Sequence, residues 1–163
     1  MKSALLVIDI QNSFKARPFW DETEFPAWLQ AQQQLISGCV ARHIPVVQVF
    51  HQTEDLGPFD PRMGLVTTLA GITLQADRII HKQKHSALAG TSLLDWLIGQ
   101  NIGRLAISGL RTAQCCETTA RHASDLGFAV DFITEATLTF AMTHPHSRVV
   151  YSSQDIRART ELV

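Results

Sequence analysis

The run Ala4-Leu5-Leu6-Val7-Ile8 is apolar at every position and is stopped by Asp9. It is too short for a buried helix and too uniform for a strand with one wet face, so it reads as a parallel strand covered on both sides. A strand of that kind exists only in a sheet with helices above and below it. The rest of the chain must then supply more such runs, with amphipathic segments between them.

It supplies both. Pro26 stands where a helix's first turn tolerates proline, and Trp28, Leu29, Gln32, Leu35, Ile36 and Val40 recur at three and four, which predicts an amphipathic helix. Cys39, beside that stripe, reads as a small core residue. Ile44 to Phe50 is a second strand with Pro45 at its start, where a missing donor does least harm, and Asp77 to His81 is a third. Thr91 is placed to cap a helix through Leu93, Leu94, Trp96, Leu97 and Ile98, which Gly99 or Gly103 helps to end. Arg104 to Ser108 reads as strand four, a helix runs from near Gln114 to about Leu126 with Gly127 placed to stop it, and Phe128 to Ile133 is strand five. In the tail, His144 to Val150 reads as a short helix and Asp155 to Arg157 as a last strand. Strands alternating with helices predict an α/β fold with a mainly parallel sheet of about five to six strands and right-handed crossovers.

Composition narrows the function classes. The 163 residues fit a single domain over 1–163, and a formal net charge of −1 forces no basic face, so neither nucleic acid nor membrane is an expected partner. The first residues resemble a signal peptide only superficially, because the apolar run ends at Asp9, and nothing elsewhere approaches the ~20 apolar residues of a membrane span. Cys39, Cys115 and Cys116 make neither a disulfide framework nor a C-x-x-C pair, which fits a reducing, cytoplasmic setting.

Parallel strands bring their C-terminal ends to one edge, where open α/β sheets bind ligands. Asp9, Lys82 and Cys115 follow three of the predicted strands. A carboxylate after a strand either performs acid–base work or caps a turn, and position alone weighs the two evenly. Cys115 stands near a helix start with Lys82 as a candidate cation, an arrangement that lowers a thiol's pKa. Asp9 would move the proton, and N–H groups of the turn would stabilise an oxyanion.

Three separated stretches carry a resemblance: Val7-Ile8-Asp9-Ile10-Gln11-Asn12-Ser13-Phe14, then Lys82 four residues before Ser86-Ala87-Leu88-Ala89-Gly90-Thr91, then Gly109-Leu110-Arg111-Thr112-Ala113-Gln114-Cys115-Cys116-Glu117-Thr118-Thr119-Ala120-Arg121. In this order they resemble the isochorismatase-like, or cysteine hydrolase, superfamily nearly end to end. The resemblance implies a Rossmann-like three-layer α/β/α sandwich, with Asp9 as acid and base, Lys82 as cation and Cys115 as nucleophile. It also implies a cis peptide between Leu110 and Arg111, an oxyanion hole from the N–H groups of Arg111 and Cys115, and a homo-oligomer.

Residue chemistry does not separate Lys84 from Lys82, and only the offset from Ser86 to Thr91 favours Lys82. Cys116 stands where the superfamily usually has an aliphatic residue and reads as a buried neighbour of the nucleophile. Metal-containing nicotinamidases of the superfamily carry an Asp-x-His pair, whereas His51 here follows Val49-Phe50, so no metal and no cofactor are expected. His51 alone reads as a pocket or structural histidine. Phe14, Trp20, Phe59 and His85 are candidate pocket walls, with packing an equal alternative, and the loops at 15–24 and 52–64 would shape that pocket. Glu117 and Arg121 are spaced for a local ion pair, and His144 and His146 read as surface or cap residues. The expected activity is hydrolysis of a small-molecule C–N bond through a Cys115 thioester. The alternatives are isochorismatase-type vinyl-ether hydrolysis and a non-catalytic binding or structural relative.

Overall fold

The computed structural model describes residues 1–162. Its centre is a five-stranded parallel sheet made of β1 (Lys2–Ile8), β2 (Val46–His51), β3 (Arg78–Lys82), β4 (Ile102–Leu110) and β5 (Ala129–Leu138), in the order β3-β2-β1-β4-β5. Three helices lie on its faces: α1 (Phe25–Ala41), α2 (Leu93–Gly99) and α3 (Glu117–Asp125). The Ala4–Ile8 run lies in β1 at the centre, every residue buried, and its side chains split by the period of two. Ala4, Leu6 and Ile8 pack with Leu93 and Leu97 of α2 and Ala123 of α3, while Leu5 and Val7 pack with Trp28, Ile36 and Cys39 of α1. The three-layer α/β architecture is therefore the one the sequence implied.

The end of the fifth strand moves from its expected boundary. β5 runs to Leu138, five residues past Ile133, because its register against β4 slips between Ile107 and Gly109 and leaves residues 133–136 outside the regular ladder. The Ala136 carbonyl freed there accepts a hydrogen bond from Trp28 Nε1 at 3.1 Å, tying α1 to the strand's end.

The tail differs from its reading. Residues 144–150 are not a helix but largely the turn of a small hairpin between β6 (Met142–Thr143) and β7 (Val150–Tyr151), closed by His144 N–H donating to the Val149 carbonyl. Asp155 to Arg157 lies inside a helix, α4 (Ser153–Glu161), not a strand. The cause is a capping box: Ser152 accepts from the Asp155 backbone, and the Asp155 carboxylate accepts from the Ser152 backbone. The Ser-x-x-Asp signal was present, and Ile156, the helix's one buried large apolar residue, was too little to show a period. His144 Nδ1 accepts from the backbone N–H of His146 and Ser147, the cap role read for it.

Candidate active site

The strand order reverses beside β1, since β2 and β3 lie on one side of it and β4 and β5 on the other. That reversal opens a crevice at the C-terminal ends of β1 and β4. Asp9 leaves β1 in a left-handed conformation at φ 52°, a shape that aspartate tolerates better than most residues. Its N–H donates to the Val49 carbonyl and its carbonyl accepts from Gln11 N–H. Gln11, wholly buried, then clamps the end of β2: Nε2 donates to the His51 carbonyl at 2.9 Å, and Oε1 accepts from His51 N–H at 2.8 Å. The sequence reading gave Gln11 no separate role.

Lys82 is the last residue of β3, in register with His51, so β2 lies between it and Asp9. Adjacent strands are about 4.8 Å apart, so the gap is about 10 Å and only a long side chain crosses it. On β3, Ile80 and Lys82 turn inward while Ile79 and His81 are exposed, which carries the lysine stem into the core. Nζ lies 2.8 Å from Asp9 Oδ2, 3.1 Å from His51 Nδ1 and 3.4 Å from Cys115 Sγ. An ammonium has three N–H donors, and each finds one partner. The alternative lysine, Lys84, is exposed.

Burial and the Lys82 charge hold the His51 pKa below the ordinary histidine range, so the ring is neutral and Nδ1 accepts. Ligand atoms of Asp9, His51 and Cys115 lie within 4.8 Å of one another, a donor set able to hold a divalent ion in another setting. Here the donors converge on the Lys82 ammonium, which a metal ion brought to the same point would meet at contact distance. The residues present do not fit a metal there.

Cys115 belongs to a turn, Thr112–Cys116, that passes directly into α3. The chain reaches that turn through Gly109, at φ 125°, where a Cβ would stand 2.0 Å from the Ile8 carbonyl oxygen, so only glycine lets β4 approach β1 this closely. The Leu110–Arg111 peptide is cis, as the resemblance implied. Cys116 is wholly buried behind Cys115, and Glu117 pairs with Arg121 at 3.0 Å and also with Arg159 of α4.

Lys82 acts to lower the thiol's pKa, as expected, but the net shift is upward rather than downward. Burial pushes Cys115 up to about 12, Asp9 pushes the same way, and Lys82 only partly offsets them. The resting thiol is protonated at neutral pH. Two candidate acceptors lie near that proton: Asp9, with a carboxylate oxygen within 4.8 Å of Sγ and its Oδ1 buried without a hydrogen-bond partner, and His85, whose Nδ1 lies 3.6 Å from Sγ.

Above the thiol is a cavity of about 290 Å³, whose walls include Phe14, Phe19, Phe59, His51 and His85, with Arg17 and Arg111 reaching it. Trp20 is not among the walls. It packs on Phe25 and Phe140, at 5.3 Å from each, and its predecessor Phe19 faces the cavity instead. Composition shows two adjacent aromatic residues in one loop but not which of them the loop turns inward. The Arg17 and Arg111 side chains were also missed, because attention at position 111 went to the backbone. Among the described residues no helix is long and apolar enough to cross a membrane.

Comparison with known proteins gives a consistent result. The family model for the isochorismatase domain matches residues 3–152. Nicotinamidase 3 of Arabidopsis thaliana is 30% identical over 157 residues, an alignment covering 85% of this chain and 74% of the relative. An isochorismatase-family protein from Chromobacterium violaceum has a solved structure that superposes with a TM-score of 0.88 at 28% identity, covering 99% of this chain and 83% of that one. The structure of N-carbamoylsarcosine amidase from Thermoplasma acidophilum shares the fold, with a TM-score of 0.73 at 21% identity over 89% of this chain and 87% of that one.

Proposed function

The chain belongs to the isochorismatase family of hydrolases, and on that premise we propose that it cleaves the C–N bond of a small amide through a thioester on Cys115. The observation that carries this reading is the convergence of Asp9, His51 and Cys115 Sγ on the single buried ammonium of Lys82. A nicotinamidase among the chain's relatives supports the amide chemistry.

As Sγ attacks the carbonyl carbon, Asp9 Oδ1 takes the thiol proton, and Lys82 holds Oδ2 in place throughout. The charge that develops on the carbonyl oxygen goes to the N–H groups of Arg111 and Cys115. Asp9 then gives its proton to the departing amine and the C–N bond breaks, leaving acyl-Cys115. Water attacks the thioester, Asp9 accepts its proton and returns it to sulfur, and the acid leaves. A thiol held up to about 12 carries little thiolate at rest, so proton transfer and attack proceed together. Lys82 places a positive charge 2.8 Å from Asp9 Oδ2 in the buried floor, a role a neutral side chain would not fill.

Ammonia release measured over small amides and ureido compounds, with Cys115→Ala beside the wild type, tests the reading. Mass spectrometry of protein quenched during turnover should show an acyl mass on the peptide bearing Cys115. Wild-type turnover by Cys115→Ala would refute the covalent route. Vinyl-ether cleavage with no adduct would place the chemistry with the acid role of Asp9 alone.

A further inference from the structure

The geometry points to a substrate whose amide is joined to a carboxylate, with Arg111 and Arg17 holding that carboxylate above Cys115. The inference rests on Cys115 being the site of the reaction and names the class of amide presented to it.

Its first ground is a pair of cations without partners. Arg111 Cζ stands 4.4 Å from the centroid of the Phe19 ring and Arg17 Cζ 5.6 Å from the same ring, so two guanidinium groups share one aromatic platform at the cavity. Arg111 is half-buried, and its Nε is fully buried with no acceptor. Among the described residues neither arginine forms an ion pair, and unlike the other unpaired arginines, Arg42, Arg78 and Arg148, these two reach the cavity above Cys115. A buried donor with no acceptor is costly, and a charged one more so, so such a group is kept where a ligand supplies the acceptor. Burial presses the Arg111 pKa down, and the nearby Arg17 charge adds to it, with Cys115 partly offsetting them.

The second ground is the charge lining the cavity. Asp9 is committed to Lys82 at 2.8 Å, so that pair adds no net charge. The one other carboxylate on the wall, Asp55, is exposed and engaged by Thr53 Oγ1 and Gly57 N–H. Two guanidinium groups against one engaged carboxylate leave the mouth positive. The guanidinium fork matches a carboxylate's two oxygens, which fixes orientation as well as charge.

The third ground is distance along the chain. Arg111 opens the turn that carries Cys115, and both side chains line one cavity of about 290 Å³, at the lower end of small-molecule sites. A carboxylate on Arg111 therefore lies a few bonds from a carbonyl at Sγ. Phe14, Phe19 and Phe59 would cover the short apolar link between them.

Iodoacetate and iodoacetamide are alkylating probes of nearly equal size, one anionic and one neutral, and free cysteine gives the reference ratio of their rates. At Cys115 the ratio of iodoacetate to iodoacetamide should exceed that reference by about tenfold, the effect of roughly 1.4 kcal/mol of anion binding. Arg17→Gln and Arg111→Gln should each lower it at least threefold, with Arg111→Lys restoring part. Because Arg17 is exposed, its variant keeps the test open if Arg111→Gln does not fold. A wild-type ratio at the free-cysteine value, or one unchanged in both variants, overturns the inference. If neither reagent modifies Cys115, the nucleophile reading fails, and calorimetric titration of the Cys115→Ala protein with succinamate and succinamide decides the anion question by itself. Tighter binding of succinamate, lost with Arg17→Gln, upholds the inference, and equal or absent binding of the two overturns it.

Discussion

At the floor of the pocket the Asp9 and Lys82 side chains are wholly buried, stand on strand ends and are paired with each other, whereas at the rim Arg17 and Asp55 are exposed and stand on loops. The floor's geometry is inherited from the register of β1, β2 and β3 and from the Gln11 clamp, so moving one member moves the others. The rim is assembled from aromatic contacts, such as Phe14 on Phe59 at 5.0 Å, and from local turns, such as the one in which Asp60 binds Leu56 and Arg62. The floor is suited to a fixed reaction and the rim to choosing the molecule that undergoes it.

Asp9→Asn strikes the floor hardest. Turnover should fall by about 10²–10⁴, the usual worth of a general acid–base group, with KM within a few-fold and the melting temperature retained. A smaller fall, together with a large one for His85→Gln, would move the proton acceptor from the floor to the rim. Lys82→Met should cost about 3–5 kcal/mol of stability in denaturant titration, because it strands a buried carboxylate. Adding Asp9→Asn should recover much of that loss, and a Lys82→Met protein of wild-type stability would show that the pair does not hold the floor together.

The thiol gives a pH test of the same contrast. A group held up to about 12 should show iodoacetamide alkylation rising about tenfold per pH unit from 7 to 10, with no levelling near the ~8.5 of an ordinary thiol. A plateau at or below that value would mean that Lys82 outweighs burial and Asp9. Phe59→Ala should be milder, raising KM several-fold while kcat stays within about threefold, since it removes a wall and leaves the reacting groups. A loss of kcat as large as that of Asp9→Asn would erase the distinction between floor and rim. The smallest effect is expected from Asp60. Its hydrogen bond with the Arg62 guanidinium, helped by the backbone N–H groups of Arg62 and Leu56, holds its carboxyl well below the usual carboxylate range. Its contribution is therefore present above the unfolded value and lost as the pH falls through the folded one. Asp60→Asn should narrow the difference in loop protection between neutral pH and acid, read by hydrogen exchange of residues 52–64.

The sheet, the two-sided burial of β1 and the helix faces were legible because each is written as a local period in a long enough segment. The tail was not, since α4 is set by one capping box and one buried isoleucine rather than by a stripe. At the site, it was legible that Asp9, Lys82 and Cys115 follow strands whose ends share one edge, where the structure brings their side chains together and leaves Lys84 exposed. The aromatic wall was half legible: Phe14, Phe59 and His85 line the cavity, and Trp20 gives its place to Phe19.

By itself the sequence determined that a central parallel strand ends in a carboxylate and that a glycine turn delivers a cysteine beside it, because alternation, apolar runs and glycine requirements act over a few residues. Only the tertiary structure decided that Lys82 reaches across β2, that the thiol's pKa is raised rather than lowered, and that Arg17 and Arg111 meet over Phe19. Each of these depends on burial and on distances between residues remote in the chain, and electrostatics in a dry interior follows those distances rather than the spacing of letters.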